Sequence, residues 1–353
     1  MSIKNLKDVA KPRRTDYGFN PNVHRSFYFV AFLALSFLTV FTAKAEWDVN
    51  SELSGYYTDN VGLFSVSRRL SLEEDPTQPV LDEPERGSDF VYEPRAEVIY
   101  KGDNQWGRYK LGVNAAAYVF QEKTKYTHGF YEFQYAQELS ERTELKLFYD
   151  LIPNLFLGNK RAFHETIEDF EADEIVDSHI ASMHLDTKLN DRLILRSLLR
   201  LGLRIYNPAF EYRFHHFFTV GSHIEWQITP DIEFMFGYHF ERGFADGKQT
   251  TFFYDDVSYI NNYTSAELKV SLAPHWILML IGDYEHNDLL SDFAYDIHHD
   301  ARENVFQGEI ELLHELDEHT TVKAGWQNGY RRYNFEPAAA RNNNVWLGVE
   351  YRF

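Results

Sequence analysis

Four arginines, Arg192, Arg196, Arg200 and Arg204, recur at every fourth position of the run RLILRSLLRLGLRIY over 192–206. Side chains alternate across an extended strand, so all four fall on one face and Leu193, Leu195, Leu199, Leu201, Leu203 and Ile205 on the other. Two residues advance a strand by about 6.6–7 Å, which sets consecutive arginines roughly 13–14 Å apart. A row of this kind is a cationic track suited to guiding anions through water. Arg95, Arg108 and Lys110 add positive charge on two earlier segments.

Carboxylates occupy the matching face of other segments: Glu132, Glu138, Glu144, Glu225, Glu233, Glu241, Glu267, Asp283, Glu309, Glu311 and Glu350. Opposed charges facing each other across a watery lumen create a transverse field that orders water and favours charged solutes. The candidate lining of such a lumen is Arg95, Arg108, Lys110, Arg192, Arg196, Arg200, Arg204, Glu225, Glu233, Glu241, Glu309 and Glu311. The same residues also suit a plainer role, each arginine neutralising a glutamate on an adjacent strand.

Other chemistry is thinner. His215-His216 and His298-His299 could bind a transition metal, but neighbours on a strand point to opposite faces and cannot easily share one ion. His314 and His319 are one residue too far apart for the zinc-protease helix motif and straddle an expected turn. No Gly-x-Ser-x-Gly elbow is present, which lowers the enzyme reading without removing it, and no cofactor is expected. Two acidic stretches, Glu73 to Glu85 and Glu165 to Glu174, could hold Ca²⁺ or Mg²⁺ against lipopolysaccharide phosphates, although a charge run of this kind is more often a solvated loop.

The element that must carry the charged faces is the strand. Fourteen alternating segments can be traced: Trp47–Arg68, Phe90–Lys101, Trp106–Gln121, His128–Leu139, Thr143–Leu151, Val176–Leu189, Arg192–Tyr206, Phe214–Ile228, Ile232–Arg242, Tyr259–Leu272, Trp276–Asp283, Asn304–Leu313, Thr321–Tyr333 and Asn344–Phe353. Apolar residues recur at two, not at three and four, which excludes helices. Six tight polar turns alternate with seven longer connections. An even number of strands with short turns at one end and long loops at the other is the pattern of a closed membrane barrel. Nine to eleven residues suffice to cross a tilted wall. Aromatic residues near segment ends, Trp47, Tyr100, Trp106, Tyr149, Trp226 and Trp276, suit the two membrane interfaces.

The first 45 residues read as an export signal cleaved after Ala45: a basic stretch from Lys4 to Arg25, an apolar run from Phe27 to Phe41, and Ala43-Lys44-Ala45. A single barrel over 46–353 would follow. Removing the signal's seven basic and two acidic residues leaves 28 Lys and Arg against 52 Asp and Glu, which excludes nucleic acid as a partner. The absence of cysteine suits passage through an oxidising periplasm.

The last nine residues, VWLGVEYRF, place Val345, Leu347, Val349, Tyr351 and Phe353 on one face and end on an aromatic residue. This resembles the closing strand of bacterial outer-membrane barrels. With the signal and the fourteen segments, the whole mature chain resembles the monomeric porin-like barrels of Gram-negative outer membranes, and the arginine row is similar to that of channels passing acidic oligosaccharides. The resemblance implies an all-β, antiparallel up-and-down transmembrane barrel with periplasmic turns, outer loops and lipid and lipopolysaccharide around it. It implies passive diffusion of small hydrophilic solutes, with anionic sugars as the class the arginines would favour. An outer-membrane enzyme acting on lipid, or a structural or export component of the envelope, remains the alternative. The third long connection, 153–175, is expected to fold into the mouth and narrow it.

Overall fold

Five of the six short turns are closed by one device. A side-chain oxygen accepts the backbone N–H two residues on: Asn104 from Trp106 at 2.8 Å, Ser140 from Arg142 at 3.2 Å, Asn190 from Arg192 at 2.9 Å, Thr229 from Asp231 at 3.3 Å and Asp317 from His319 at 2.8 Å. Such bonds imitate a backbone turn, and they reverse the chain in two to four residues. The sixth turn, at Pro274-His275, relies on a positive φ of 67° at His275.

The computed structural model describes residues 46–67, 87–164, 167–249, 255–296, 298–335 and 338–353. The expected export signal and the acidic stretch from Glu73 to Glu85 lie outside the described residues. Fourteen strands run in order: β1 (Glu46–Thr58), β2 (Asp89–Asn104), β3 (Gly107–Phe120), β4 (His128–Ser140), β5 (Thr143–His164), β6 (Ile167–Asn190), β7 (Leu193–Tyr206), β8 (His215–Thr229), β9 (Ile232–Ala245), β10 (Tyr259–Ala273), β11 (Trp276–Leu289), β12 (Arg302–Glu315), β13 (Thr320–Tyr333) and β14 (Ala340–Arg352). Each pairs antiparallel with its neighbours in sequence, and β1 closes on β14 from Asn50↔Arg352 to Thr58↔Asn344. Closure leaves no strand edge unpaired within the wall itself, the condition for crossing hydrocarbon without helices. No helix among the described residues is long and apolar enough to cross a membrane.

The outward face is apolar around the wall. Leu53, Val113, Leu147, Leu201, Val220, Ile224, Ile310 and Val349 are exposed, and Leu347 is 67% exposed. Aromatic pairs flank this band at both ends. Trp47 meets Tyr100 at 5.0 Å and Trp276 stacks on His314 at 4.0 Å at the short-turn end, while Tyr57 meets Phe90 at 5.3 Å at the long-connection end. A band of exposed hydrocarbon between two aromatic girdles is what a bilayer requires. The chain is a transmembrane up-and-down β-barrel.

Two elements differ from the sequence expectation. The first strand was expected to reach Arg68, but β1 stops at Thr58 and a helix, α1 (Val61–Ser67), follows. Asn60 caps it, its side chain accepting from Leu63 N–H at 3.3 Å while its own N–H donates to Thr58 Oγ1 at 3.2 Å. Phe64 of α1 then packs on the inward rings of Tyr56 and Phe120, at 5.5 and 5.8 Å. The first connection thus sends a folded element against the inner wall, and Phe156 of the third joins the same buried cluster.

The third connection is no loop. β5 pairs with β4 only as far as Leu151, and β6 with β7 only from Val176, yet β5 and β6 pair with each other to His164↔Ile167. Beyond the wall they form a two-stranded arm with three register shifts. Alternation is disturbed at each shift, so a strand there is hard to read from sequence. Leu155 and Ala162 of the arm pack with Phe210 and Tyr212 of the 3₁₀ turn Pro208–Arg213.

Candidate functional site

The inward face divides into two zones along the barrel axis. Near the short turns the inward side chains are half-buried and charged, and they pair in series. Lys110 Nζ on β3 lies 3.5 Å from Glu144 on β5, reaching past the small Ala136 of β4. Lys146 Nζ on β5 lies 3.4 Å from Glu144 and 2.7 Å from Asp186 on β6. Arg196 on β7 reaches Asp186 through Nε at 2.8 Å and Glu225 on β8 through Nη2 at 2.9 Å. Signs alternate through the six groups, forming a belt around this part of the wall. On the opposite side Lys323 of β13 pairs with Glu52 of β1 across β14.

Towards the long connections the inward side chains are buried and their polar atoms interlock. Arg204 Nη1 lies 2.7 Å from the Tyr259 hydroxyl and 2.9 Å from His215 Nε2. Tyr259 in turn donates to Glu241, which also accepts from Thr219 Oγ1 at 2.6 Å. Asn287 donates to Glu285 and Glu303, and Arg331 pairs with Glu303. His223 and His239 stack with ring centroids 4.8 Å apart, and Tyr263 lies against His239 at 5.5 Å. Buried charges need such partners to be tolerated at all.

Each candidate lining residue can now be placed. Arg95 pairs with Glu93 at 3.0 Å, and Lys110, Arg196 and Glu225 belong to the belt. Arg200, Arg204 and Glu241 are buried in the zone nearer the long connections. Glu233 is inward and half-buried near the turn end of β9. Glu309 accepts from Gln327 Nε2 at 2.9 Å, and Glu311 from the Trp346 indole at 2.7 Å. Arg108 is exposed at the turn end of β3. Arg192 lies in the turn between β6 and β7, outside the strand in which the sequence reading put it, because the Asn190 bond reverses the chain there.

The arginine row is therefore not a bare cationic track. Arg196 carries two carboxylates, Arg204 is buried against Glu241, and Leu198 and Gly202 share their face. The partners Asp186 and Lys146 were not singled out in the sequence, although hairpin pairing about the 190–192 turn sets Asp186 directly opposite Arg196. Trp346, inward on the closing strand, also escaped notice because its apolar neighbours dominate the pattern.

The acidic and histidine-rich stretches resolve individually. Asp173 pairs with Lys125 at 2.8 Å and Glu174 with Arg213 at 2.8 Å, so these two carboxylates have cations of their own. His215 turns inward to Arg204 while His216 turns outward and stacks on Phe244 at 5.2 Å, as neighbours on a strand must. His314 stacks on Trp276, and His319 bonds the carbonyl of Arg352 through Nδ1 at 2.9 Å.

No protein-family model and no curated protein matches the chain. Among solved structures it is similar to the outer membrane channel DcaP of Acinetobacter baumannii, at 10% identity and a TM-score of 0.49, covering 89% of this chain and 99% of that one. It is also similar to OmpT, in a form lacking loop L8, an outer membrane protein of Vibrio cholerae, at 9% identity and a TM-score of 0.48, covering 88% of this chain and all of that one. An anion-selective porin from Comamonas acidovorans aligns at 8% identity with a TM-score of 0.46, over 88% of this chain and 100% of its own. These are likenesses of barrel architecture and say nothing about a solute.

Proposed function

We propose that the protein is an outer-membrane channel through which small hydrophilic solutes diffuse, entering from the periplasm through the charged zone near the short turns. The alternating belt from Lys110 to Glu225 carries this reading: a closed wall greasy outside and charged inside has its polar face turned to water, not to lipid. Every cation in the belt has a carboxylate beside it, so net charge on a solute is a weak determinant of passage. Hydroxyl-rich solutes, sugars and sugar acids, find both donors and acceptors there. The buried network around Arg204, Tyr259 and Glu241 would form the narrower part, nearer the cell exterior. Residues 1–45 would serve as the cleaved export signal, and lipopolysaccharide would pack against the outward aromatic girdle at the long-connection end.

Liposome swelling tests the proposal. Proteoliposomes should swell in neutral monosaccharides and in their acid counterparts at rates within about threefold of each other, the size of a barrier difference below one kcal/mol. Swelling no faster than that of empty liposomes for both solutes would refute it.

A further inference from the structure

The long-connection end holds a polar cluster that solute passage leaves unused. Asp255 lies just before β10, and Asp296 and His298 lie between β11 and β12; all three are buried. His298 Nδ1 stands 3.0 Å from Asp296 Oδ1 and 3.2 Å from Asp255 Oδ1, and the ligand atoms of the three residues all fall within 4.8 Å of one another. Donors held tetrahedrally at about 2.0–2.2 Å are themselves about 3.3–3.6 Å apart, close to the two imidazole–carboxylate separations.

The carboxylates are oriented from behind. Asp255 Oδ2 accepts from Arg213 Nε at 2.8 Å, while Asp296 Oδ2 accepts from Ser291 Oγ at 2.6 Å and from Asp256 N–H at 2.8 Å. The Oδ1 atoms take longer bonds, from Arg213 Nη2 at 3.3 Å and from His298 N–H at 2.9 Å, and still face the imidazole. Outer bonds of this kind fix ligating carboxylates. Arg213 also pairs with Glu174, so two carboxylates meet its guanidinium.

We propose that Asp255, Asp296 and His298 bind one divalent transition-metal ion, with Zn²⁺ the best match to one imidazole and two carboxylates. Calcium prefers six to eight oxygens and fits this set poorly. The ion would join the connection before β10 to the one before β12, and through Arg213 to the connection before β8 and the β5–β6 arm.

Calorimetric titration of the metal-stripped full chain, folded in detergent, with Zn²⁺ tests this. One ion per chain should bind, His298→Ala should weaken it about tenfold or more, and His299→Ala should leave it unchanged. Because His298→Ala could loosen the connections by itself, zinc K-edge absorption on the unaltered protein supplies a second reading: a shell of nitrogen and oxygen at about 2.0–2.2 Å that includes imidazole. Absence of a one-to-one phase, equal affinity in His298→Ala, a shell without imidazole, or Ca²⁺ binding as tightly as Zn²⁺ would each overturn the proposal.

Discussion

Arg204 on β7 donates a 2.7 Å hydrogen bond to the Tyr259 hydroxyl on β10, although β8 and β9 separate those strands in the wall. The bond spans part of the interior instead of following the sheet. The same guanidinium lies over the Phe217 ring at 4.3 Å and 3.9 Å from Glu241, so it is at once a packing element and a counter-charge. Replacing Arg204 with Ala takes a counter-charge away from the buried Glu241. Breaking one side of a buried charge pair costs about 3–5 kcal/mol. Urea unfolding of the barrel from lipid should report a loss of that order for Arg204→Ala, and a smaller one of about 1–3 kcal/mol for Tyr259→Phe.

Glu311, Gly325 and Trp346 lie in line across β12, β13 and β14. The indole lies over Gly325 to place its N–H on Glu311 at 2.7 Å, and a β-carbon at Gly325 would overlap the ring. Gly325→Ala should therefore destabilise the barrel by about 1–3 kcal/mol, the usual cost of overpacking. Gly282 has open space where its β-carbon would stand, and Gly282→Ala should unfold at nearly the unaltered urea concentration.

The belt makes a prediction about ions. Asp186 bridges Lys146 and Arg196, so Asp186→Asn should leave the belt one cation in excess and move the reversal potential under a salt gradient towards anion preference. Arg196→Ser should move it the opposite way by leaving one carboxylate in excess, since Asp186 keeps Lys146 while Glu225 loses its guanidinium. Equal potentials in the three proteins would show that permeating ions do not meet the belt.

How much of this was written in the sequence depends on the period of the pattern. The outer face of the closing strand was legible, with Val345, Leu347, Val349, Tyr351 and Phe353 all exposed, although the strand begins at Ala340 and not at Asn344. The turns were legible because Asn, Asp, Ser and Thr at their first positions have a local job. α1 was not, because seven residues are two helical turns and Leu63 and Phe64 read as the continuation of an apolar strand. The arm was missed because its acidic composition suggests solvent and its register shifts hide the alternation. Charges could be assigned to the inner face, but partners such as Asp186 for Arg196 depend on register, and the link from Arg204 to Tyr259 depends on closure of the whole wall.

Acid should loosen the metal-free cluster at the long-connection end only at low pH. Asp255 and Asp296 titrate below the ordinary aspartate value of about 3.9. A carboxylate depressed in the folded state contributes stability that is complete above its unfolded value and is lost as pH falls through its folded value. Amide protection factors at Asp256 and His298, whose N–H groups donate to Asp296, should hold from pH 7 to pH 5 and fall below about pH 4. Loss between pH 7 and pH 5 would instead place control with a histidine.

Conductance across a planar bilayer tests the central claim most directly. With insertion verified by protection of the wall from protease, the folded chain should give stable current steps, and Arg204→Ala should enlarge them by removing a group from the narrow zone. A membrane that holds the inserted barrel yet passes no current, with Arg204 or without it, would contradict a water-filled passage.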